Sequence, residues 1–320
     1  MRFLEELDRA FKKGDVDAVV ALGVRLLHMG WYSKLDWFLE RFNEMLRYLP
    51  PEERRRVQEN ELILNLMHLV MHLVRDMEPE RALPYVRPKG SMIERRIYYE
   101  YLGNHPRAYH YLLRYERETK IKSFWLEIRK IYMRMYRGGR VSLREIERLE
   151  TSEDEVEFVA QIITRGYAVG IYHILKGEID GDTFGEIKRA VMYGLSENYD
   201  HTTSRLLQVF IPLSLMRGEE RVARTYLNAA ISTAQTEQNR YMYEWFGMYD
   251  LALRGDVEPL RERARLYEEK GYIGHEVLAR AVSGLIGGGR EELERAKALS
   301  DKYWHRHVLR YAEVLTGRNL

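Results

Sequence analysis

The stretch LMRGEERVARTYLNAAI, residues 215–231, contains the end of one helix, a turn and the start of another. Gly218 follows an apolar segment and precedes Glu219 and Glu220. A glycine ends a helix at little cost because it readily adopts the left-handed conformation, and acidic residues are favourable in the first turn of the next helix. Ala223 and Ala230 then share one side of the second helix. The stretch therefore predicts two helices that pack against each other.

Turns of the same kind recur along the chain. They are centred on Gly14, Gly103, Gly138, Gly177, Gly218, Gly255, Gly288 and Gly317. From Gly103 onward the intervals between them are 35, 39, 41, 37, 33 and 29 residues. A period near 35 residues that holds two helices is typical of a helical repeat array. We therefore predict stacked, antiparallel helix pairs.

Apolar residues follow a helical period in the segments between these turns. Within residues 122–137, one face of the predicted helix carries Phe124, Ile128, Ile131 and Met135. The first and third predicted helices show the same pattern, with Phe3, Leu7 and Ala10 in the first and Leu35, Phe38, Leu39, Phe42 and Leu46 in the third. No run alternates in the way a β-strand requires. The predicted fold class is all-α, with about 14 to 16 helices.

Two further stretches place small or apolar residues at the same distance from a turn glycine. YLGNHPRAYHYLLRY, residues 101–115, pairs Gly103 with Ala108, and LALRGDVEPLRERARLY, residues 251–267, pairs Gly255 with Leu260 and Ala264. In these features the chain resembles the tetratricopeptide (TPR) repeat family. The resemblance implies a right-handed α-solenoid of stacked antiparallel helix pairs. It also implies a concave face that binds a peptide or protein partner.

The composition narrows the class of protein. The 320 residues are 45% hydrophobic and 31% charged, enough apolar material for a large core, which excludes a mainly disordered chain. There is no cysteine, so disulfides, Cys-ligated zinc, iron–sulfur clusters and thiol nucleophiles are excluded. Arginine supplies 39 of the 51 basic residues, and this usage in Glu/Arg-rich helices favours a thermophilic source.

The organisation of the chain predicts a single soluble unit. Residues 1–15 carry charges throughout, unlike a signal peptide, and the longest apolar stretch, 62–74, is too short to span a membrane. We therefore expect a cytoplasmic protein. Residues 50–103 fit the repeat period poorly and contain five prolines. We predict one continuous helical-repeat domain over residues 1–320, with a flexure near 84–91.

Two pairs of histidines have spacings that merit comparison with metal sites. His68 and His72 are four residues apart, but the zinc-protease pattern requires Glu at position 69, which is Leu69. Their apolar helix favours a role in the core. His305 and His307 are two residues apart, and on a helix such side chains point in different directions. Neither pair predicts a metal site.

Two other motifs also favour structural roles. The run Asp180-Gly181-Asp182 lacks the last ligand of a calcium loop and is better explained by Asp182 as a helix N-cap. The run Gly287-Gly288-Gly289 coincides with a repeat turn and lacks the Lys of a phosphate-binding loop. We predict no catalytic residues, no metal and no cofactor, and hence no enzymatic activity.

Charge is distributed unevenly along the chain. Residues 87–148, the basic block, contain 16 basic and 7 acidic residues, whereas residues 150–200, the acidic segment, contain 4 basic and 11 acidic residues. Aromatic residues are frequent in the basic block, and the helix 122–137 presents one stripe of cations and a second stripe of Trp, Tyr and Arg. Arginine contacts phosphate oxygens and aromatic faces stack on unpaired bases. The predicted nucleic-acid-binding residues are Arg95, Arg96, Arg107, Arg114, Arg117, Lys120, Lys122, Trp125, Arg129, Lys130, Tyr132, Arg134, Tyr136, Arg137 and Arg140.

These features predict a non-enzymatic protein that docks on RNA or a ribonucleoprotein, with a ribosomal subunit as the best single partner, as in a translation, ribosome-storage or ribosome-dimerisation factor. Charge reversal at Arg129, Lys130, Arg134 and Arg137 is expected to weaken binding and leave the fold intact. Three alternatives stay open. In the first, the Tyr/Trp stripe packs inside the array; in the second, the protein is a TPR-like adaptor or regulatory sensor for a peptide or protein. In the third, the basic block and the acidic segment pair with each other, within the chain or across a homodimer.

Overall fold

Nineteen α-helices and no β-strand make up the computed structural model, which describes residues 2–29, 31–59, 61–86, 91–153, 155–197 and 199–320. None of these helices combines the length and the apolar character that crossing a membrane requires. In chain order the helices are α1 (Arg2–Lys13), α2 (Val16–Met29), α3 (Leu35–Tyr48), α4 (Pro51–Glu59), α5 (Glu61–Val70), α6 (Pro79–Ala82), α7 (Met92–Tyr101), α8 (His105–Thr119), α9 (Phe124–Tyr136), α10 (Leu143–Glu147), α11 (Glu155–Lys176), α12 (Gly181–Ser196), α13 (Asp200–Met216), α14 (Glu220–Thr236), α15 (Arg240–Arg254), α16 (Val257–Lys270), α17 (Ile273–Gly287), α18 (Arg290–Tyr303) and α19 (Arg306–Thr316).

The turns predicted from glycine spacing are confirmed. A positive φ, between 64° and 82°, is found at Gly14, Gly103, Gly138, Gly177, Gly218, Gly255, Gly288 and Gly317. Each of these residues follows a helix that ends at or just before it. The left-handed conformation there allows the chain to reverse into the next helix.

The number of helices exceeds the predicted 14 to 16, mainly because residues 50–103 are divided into short elements. α5 continues into a π-helical turn, Met71–Arg75, and α6 is followed by a 3-10 turn, Leu83–Tyr85. Pro51 and Pro79 each begin a helix, where a residue without an N–H is tolerated. Residues 87–90 of the flexure predicted near 84–91 lie outside the described residues.

The predicted apolar faces form the core. On α9 the side chains of Phe124, Ile128, Ile131 and Met135 are buried, as are Leu7, Ala10 and most of the predicted face of α3. Consecutive helices pack against each other, as α7 does with α8 and α13 with α14. Alternate helices also meet, with α11 against α13 and α15 against α17. The prediction of an all-helical protein with helix-on-helix packing is confirmed.

The later helices pack back onto the earlier part of the chain. α19 contacts α9, α11, α13, α15 and α17, so the surface that these helices share is covered by the protein's own C-terminal helix. Ile273 N–H donates to the Leu102 carbonyl at 3.0 Å, and the Tyr272 hydroxyl donates to the Leu73 carbonyl at 2.8 Å. Gly103 lies in this contact, where an added Cβ would be 2.8 Å from the backbone nitrogen of Gly274. The backbone at this seam therefore approaches too closely for any residue but glycine.

Candidate functional site

The helix pair α7 and α8 places part of the basic block on the outer surface. α7 begins with a capping box. The Ser91 side chain accepts a hydrogen bond from the backbone of the first turn, and the Glu94 carboxylate accepts one from Ser91 N–H. Asn104 caps the start of α8, and its side chain accepts from Arg107 N–H at 3.3 Å. The Gly103 turn between the helices makes them antiparallel neighbours, so that residues of one helix face residues of the other.

Two tyrosines and two arginines form a stack across this helix pair. The rings of Tyr99 and Tyr111 are parallel within 4°, with centroids 5.7 Å apart. The Arg107 guanidinium lies 5.3 Å from the Tyr99 ring, and the Arg95 guanidinium lies 5.6 Å from the Tyr111 ring. Arg107 is exposed, and the other three side chains are half-buried. We call these four residues the Arg–Tyr stack.

Other predicted cations on α8, the α8–α9 segment and the end of α9 are also exposed. Arg114 forms an exposed ion pair with Glu118 at 2.8 Å. Arg137 places its guanidinium 5.9 Å from the Trp304 ring. The exposed predicted residues are Arg107, Arg114, Arg117, Lys120, Lys122, Arg137 and Arg140.

Two other predicted cations are paired with carboxylates of the basic block itself. Lys130 Nζ lies 2.8 Å from Glu116 and 2.6 Å from Glu127, and Arg134 pairs with Glu145. Reversing these charges would bring carboxylates together. Reversal at Arg129, Lys130, Arg134 and Arg137 would therefore disturb contacts within the protein itself, and a test of surface charge needs other positions.

The predicted aromatic stripe of α9 faces inward. Tyr132 and Tyr136 are 8% and 5% exposed. The Tyr132 hydroxyl donates to the Thr164 carbonyl at 2.8 Å, the Tyr136 hydroxyl lies 3.2 Å from that of Tyr167, and Trp125 Nε1 donates to Glu157 at 2.9 Å. These contacts agree with the packing alternative. Tyr132 and Tyr136 are therefore not on the outer surface, where a base of docked RNA would stack.

Arg96 and Arg129 are also directed inward, toward a cavity of about 400 Å³. They meet Glu100, which pairs with Arg96 one turn away on α7 and lies 3.5 Å from Arg129 Nε. A third guanidinium, that of Arg205 on α13, lines the same cavity and lies 6.0 Å from the Tyr101 ring. Arg95 and Arg96 are adjacent in α7 but lie on different sides of it: Arg95 belongs to the Arg–Tyr stack, and Arg96 lines the cavity.

The charges of the cavity perturb one another. Burial alone would raise the pKa of Glu100, but the positive charges of Arg96, Arg129 and Arg205 lower it to about 2. Burial and repulsion from Arg129 lower the pKa of Arg96 to about 10. Burial raises the pKa of Tyr132 and Tyr136 well above its ordinary value. At neutral pH the cavity therefore holds three guanidinium ions, one carboxylate and neutral phenols.

Two residues essential to this arrangement, Glu100 and Arg205, are absent from the predicted site. Glu100 stands four residues after Arg96, a spacing that identifies an ion pair on one helix. Arg205 lies beyond the basic block and has no local signal, since only the packing of α13 against the rest of the molecule brings it to Tyr101.

The histidines are placed differently from the prediction in one respect. His305 precedes α19 with a non-helical backbone, so His305 and His307 reach the same interior cluster, with ring centroids 6.0 Å apart. His105 joins them, 4.5 Å from the His305 ring. His305 and Gly103 are joined by a 2.7 Å hydrogen bond from Nε2 to the carbonyl. The expectation that this pair points apart is wrong, because a helical angle does not apply to His305.

The other short motifs have structural roles. His68 and His72 stack on Tyr85, at centroid distances of 4.5 and 5.8 Å, and His72 Nδ1 lies 3.2 Å from Asp76. The N-cap of α12 is Asp180, which accepts from Thr183 N–H at 2.8 Å, so the expected N-cap at Asp182 is wrong by two residues. Within the described residues, no group of three or more metal-ligating His, Asp or Glu side chains is placed to share an ion.

Comparison with family models, with characterised proteins and with solved structures finds no match for this chain.

Proposed function

We propose that this protein is a non-catalytic, cytoplasmic binding protein, a right-handed TPR-like superhelix that docks on RNA or a ribonucleoprotein. The proposed contact surface is the outer side of α7 and α8 together with the α8–α9 segment. A ribosomal subunit is the proposed partner, because its surface combines RNA phosphates with protein.

The Arg–Tyr stack carries this proposal. Guanidinium groups at both ends of a pair of parallel tyrosines combine two properties that RNA-binding surfaces use, namely phosphate contacts and flat aromatic groups. Lys120 and Lys122 extend the positive charge beyond α8. An excess of cations on a helix pair is not needed for packing, and solubility is served by interspersed signs.

Charge reversal at exposed positions tests the proposal directly. The variant Arg107→Glu, Arg117→Glu, Lys120→Glu, Lys122→Glu changes four exposed cations, and we expect affinity for a labelled oligouridylate to fall by about two orders of magnitude. The log–log salt slope should become shallower by up to about 3, at about 0.7 for each phosphate of the single strand that the variant no longer neutralises. Fluorescence anisotropy over a series of salt concentrations measures both quantities.

A matched variant separates local contacts from net charge. Arg221→Glu, Arg265→Glu, Lys297→Glu, Lys302→Glu makes the same change in total charge at exposed positions outside the basic block, and should retain the wild-type slope. Tyr111→Leu should weaken binding about tenfold without altering the slope, because stacking is not ionic. Equal slopes in the two fourfold variants would overturn the proposal. Co-sedimentation with ribosomal subunits, with and without RNase, then tests the partner.

A protein–protein adaptor or sensor is the second candidate. The observation that favours it is a pair of adjacent large side chains on α12, Met192 and Tyr193, which are 54% and 47% exposed. Exposed apolar side chains that cluster are typical of sites for protein partners. An unaltered salt slope in the basic-block variant would make this candidate the leading one.

Self-association is expected from the same charge distribution. We propose a homodimer, since the ends of a repeat array and segments of opposite charge both favour a two-fold contact. Light scattering at several protein and salt concentrations should give a dimer mass that falls toward the monomer as salt rises. A monomer mass at every micromolar concentration and at low salt would contradict this prediction.

The proposal also includes a source that grows at high temperature. Arg280 is surrounded by Glu268, Glu276 and Glu292, at 2.6, 2.8 and 2.6 Å. Ion-pair networks of this kind contribute more to stability as temperature rises, because the free-energy cost of removing ions from water falls.

A further inference from the structure

The cavity between α2, α5, α7, α9, α11 and α13 has the size and the lining of a ligand site. Its volume of about 400 Å³ lies within the range of about 300–1,000 Å³ found for small-molecule sites. Aliphatic side chains such as Leu66, Ile97 and Leu126 form one part of the wall, and tyrosines form another. The Arg–Tyr stack lies outside it, so the inference from the cavity does not depend on the proposed function, although both involve the exposed Lys120 and Lys122.

The cavity has more positive than negative charge. Three guanidinium groups face it, and Glu100 supplies one carboxylate. Among residues whose side chains the structure describes, Arg205 forms no ion pair, and its guanidinium lies 6.0 Å from the Tyr101 ring. Arg129 Nε is buried and makes no hydrogen bond within that same set. Glu100 already faces Arg129, so among the described residues Arg205 is the cavity cation that lacks an ion pair. Such a buried cation is costly, and an anion would offset that cost.

The cavity also has a route to solvent. Two of its lining residues, Val24 on α2 and Ile121 in the α8–α9 segment, are 39% and 46% exposed, so it opens between these elements. Lys120 and Lys122 flank Ile121 and are exposed. Cations around the entrance of a cavity raise the local concentration of anions and speed their entry.

We propose that the cavity binds a small organic dianion with an apolar or aromatic body. The excess of two positive charges matches two negative charges on the ligand, as in a phosphate monoester or a dicarboxylate. The acidic end is placed between Arg129, whose Nε makes no hydrogen bond among the described side chains, and Arg205, which has no ion pair there. The body packs against the aliphatic and aromatic wall.

Trp125 lines the cavity and provides a direct signal. We expect phenyl phosphate to quench tryptophan fluorescence saturably and to raise the melting temperature of the protein. Benzoate, with a single negative charge, should bind more weakly. Benzyl alcohol and inorganic phosphate should each have little effect, because the first has no negative charge and the second has no apolar body. Trp125→Phe should remove the saturable quenching while leaving the thermal shift.

Arg205→Met should weaken phenyl phosphate binding by about ten- to hundredfold, as expected for the removal of a charge-assisted hydrogen bond. The control Arg114→Met removes an exposed arginine outside the cavity and should leave the affinity unchanged. Arg129→Met is the second variant if Arg205→Met does not fold. The proposal is overturned if no anion binds at millimolar concentration, if benzyl alcohol binds as well as phenyl phosphate, or if neither arginine variant changes the affinity.

Discussion

Lowering the pH from 7 to 5 is expected to remove several kcal/mol from the free energy of unfolding. Burial keeps four histidines neutral in the folded protein. It lowers the pKa of His305 to about 4 and that of His275 to about 3, and it lowers the pKa of His105 and His307 well below the usual value. The nearby positive charge of Arg205 acts in the same direction on His105, His275 and His307.

The direction of the effect follows from proton uptake. Above the unfolded-state pKa of 6.5 both states are neutral at these positions, and the stability is fully present. Below it the unfolded chain binds protons that the folded chain does not, so stability falls until the folded-state pKa values are reached. Each histidine contributes about 1.4 kcal/mol per pH unit, so four give about 5 kcal/mol per unit below about pH 6. This is comparable with the total stability of many domains.

Denaturant unfolding at constant ionic strength, in steps from pH 7.5 to pH 5, measures this slope. Glu100 contributes little in this range, because its pKa is 4.5 when unfolded and about 2 when folded, so its linked proton uptake occurs mainly below pH 5. His275→Asn should reduce the slope by about a fifth to a quarter whatever it does to the stability at pH 7, since burial also lowers the pKa of His68. His110 is exposed, and His110→Asn is the matched surface control. A wild-type stability that is flat between pH 6.5 and pH 5 would contradict the prediction.

Replacing Glu100 by glutamine is expected to lower the free energy of unfolding by about 3 kcal/mol. The substitution keeps the volume of the side chain but removes the single carboxylate that faces Arg96, Arg129 and Arg205. Arg96 and Glu100 are both largely buried, at 12% and 16% exposure, and a buried charge without its partner is strongly destabilising. Chemical denaturation at pH 7 measures the decrease.

A surface ion pair gives the matched control. Arg114 and Glu118 have the same i, i+4 spacing as Arg96 and Glu100, but both are about half exposed. Glu118→Gln should therefore change the stability by less than about 0.5 kcal/mol. If the cavity binds organic dianions, phenyl phosphate should restore more stability to Glu100→Gln than to the wild type. A Glu100→Gln variant as stable as the wild type would show that water, rather than Glu100, compensates the guanidinium groups.

Local signals in the sequence predict the turns and the faces of this fold. Gly218 ends a helix because its conformation is a property of one residue, and Phe124, Ile128 and Ile131 are buried because a helical period fixes which side chains share a face. Such features depend on a few neighbouring residues. They are therefore readable without any knowledge of distant contacts.

The cavity depends on contacts that a local pattern does not contain. Arg96 and Arg205 are more than a hundred residues apart in the chain, and α7 and α13 bring them to one space. Similarly, the sequence pattern of a cation stripe on α9 is the same whether the cations bind phosphates of a partner or glutamates of the protein itself. For Lys130 the partner is Glu116, on the preceding helix.

The seam at Gly103 constrains how this protein can evolve. Open repeat arrays change length by gaining or losing whole repeats, because each repeat contacts only its neighbours. Here the Leu102 carbonyl is bound to Ile273 and the Gly103 carbonyl to His305, across about 170 and 200 residues of chain. Duplication or deletion of any helix pair between them would move one side of the seam relative to the other. The number of helices between Gly103 and Ile273 is therefore constrained, and descendants of this protein are expected to diverge by substitution and by insertions in the turns.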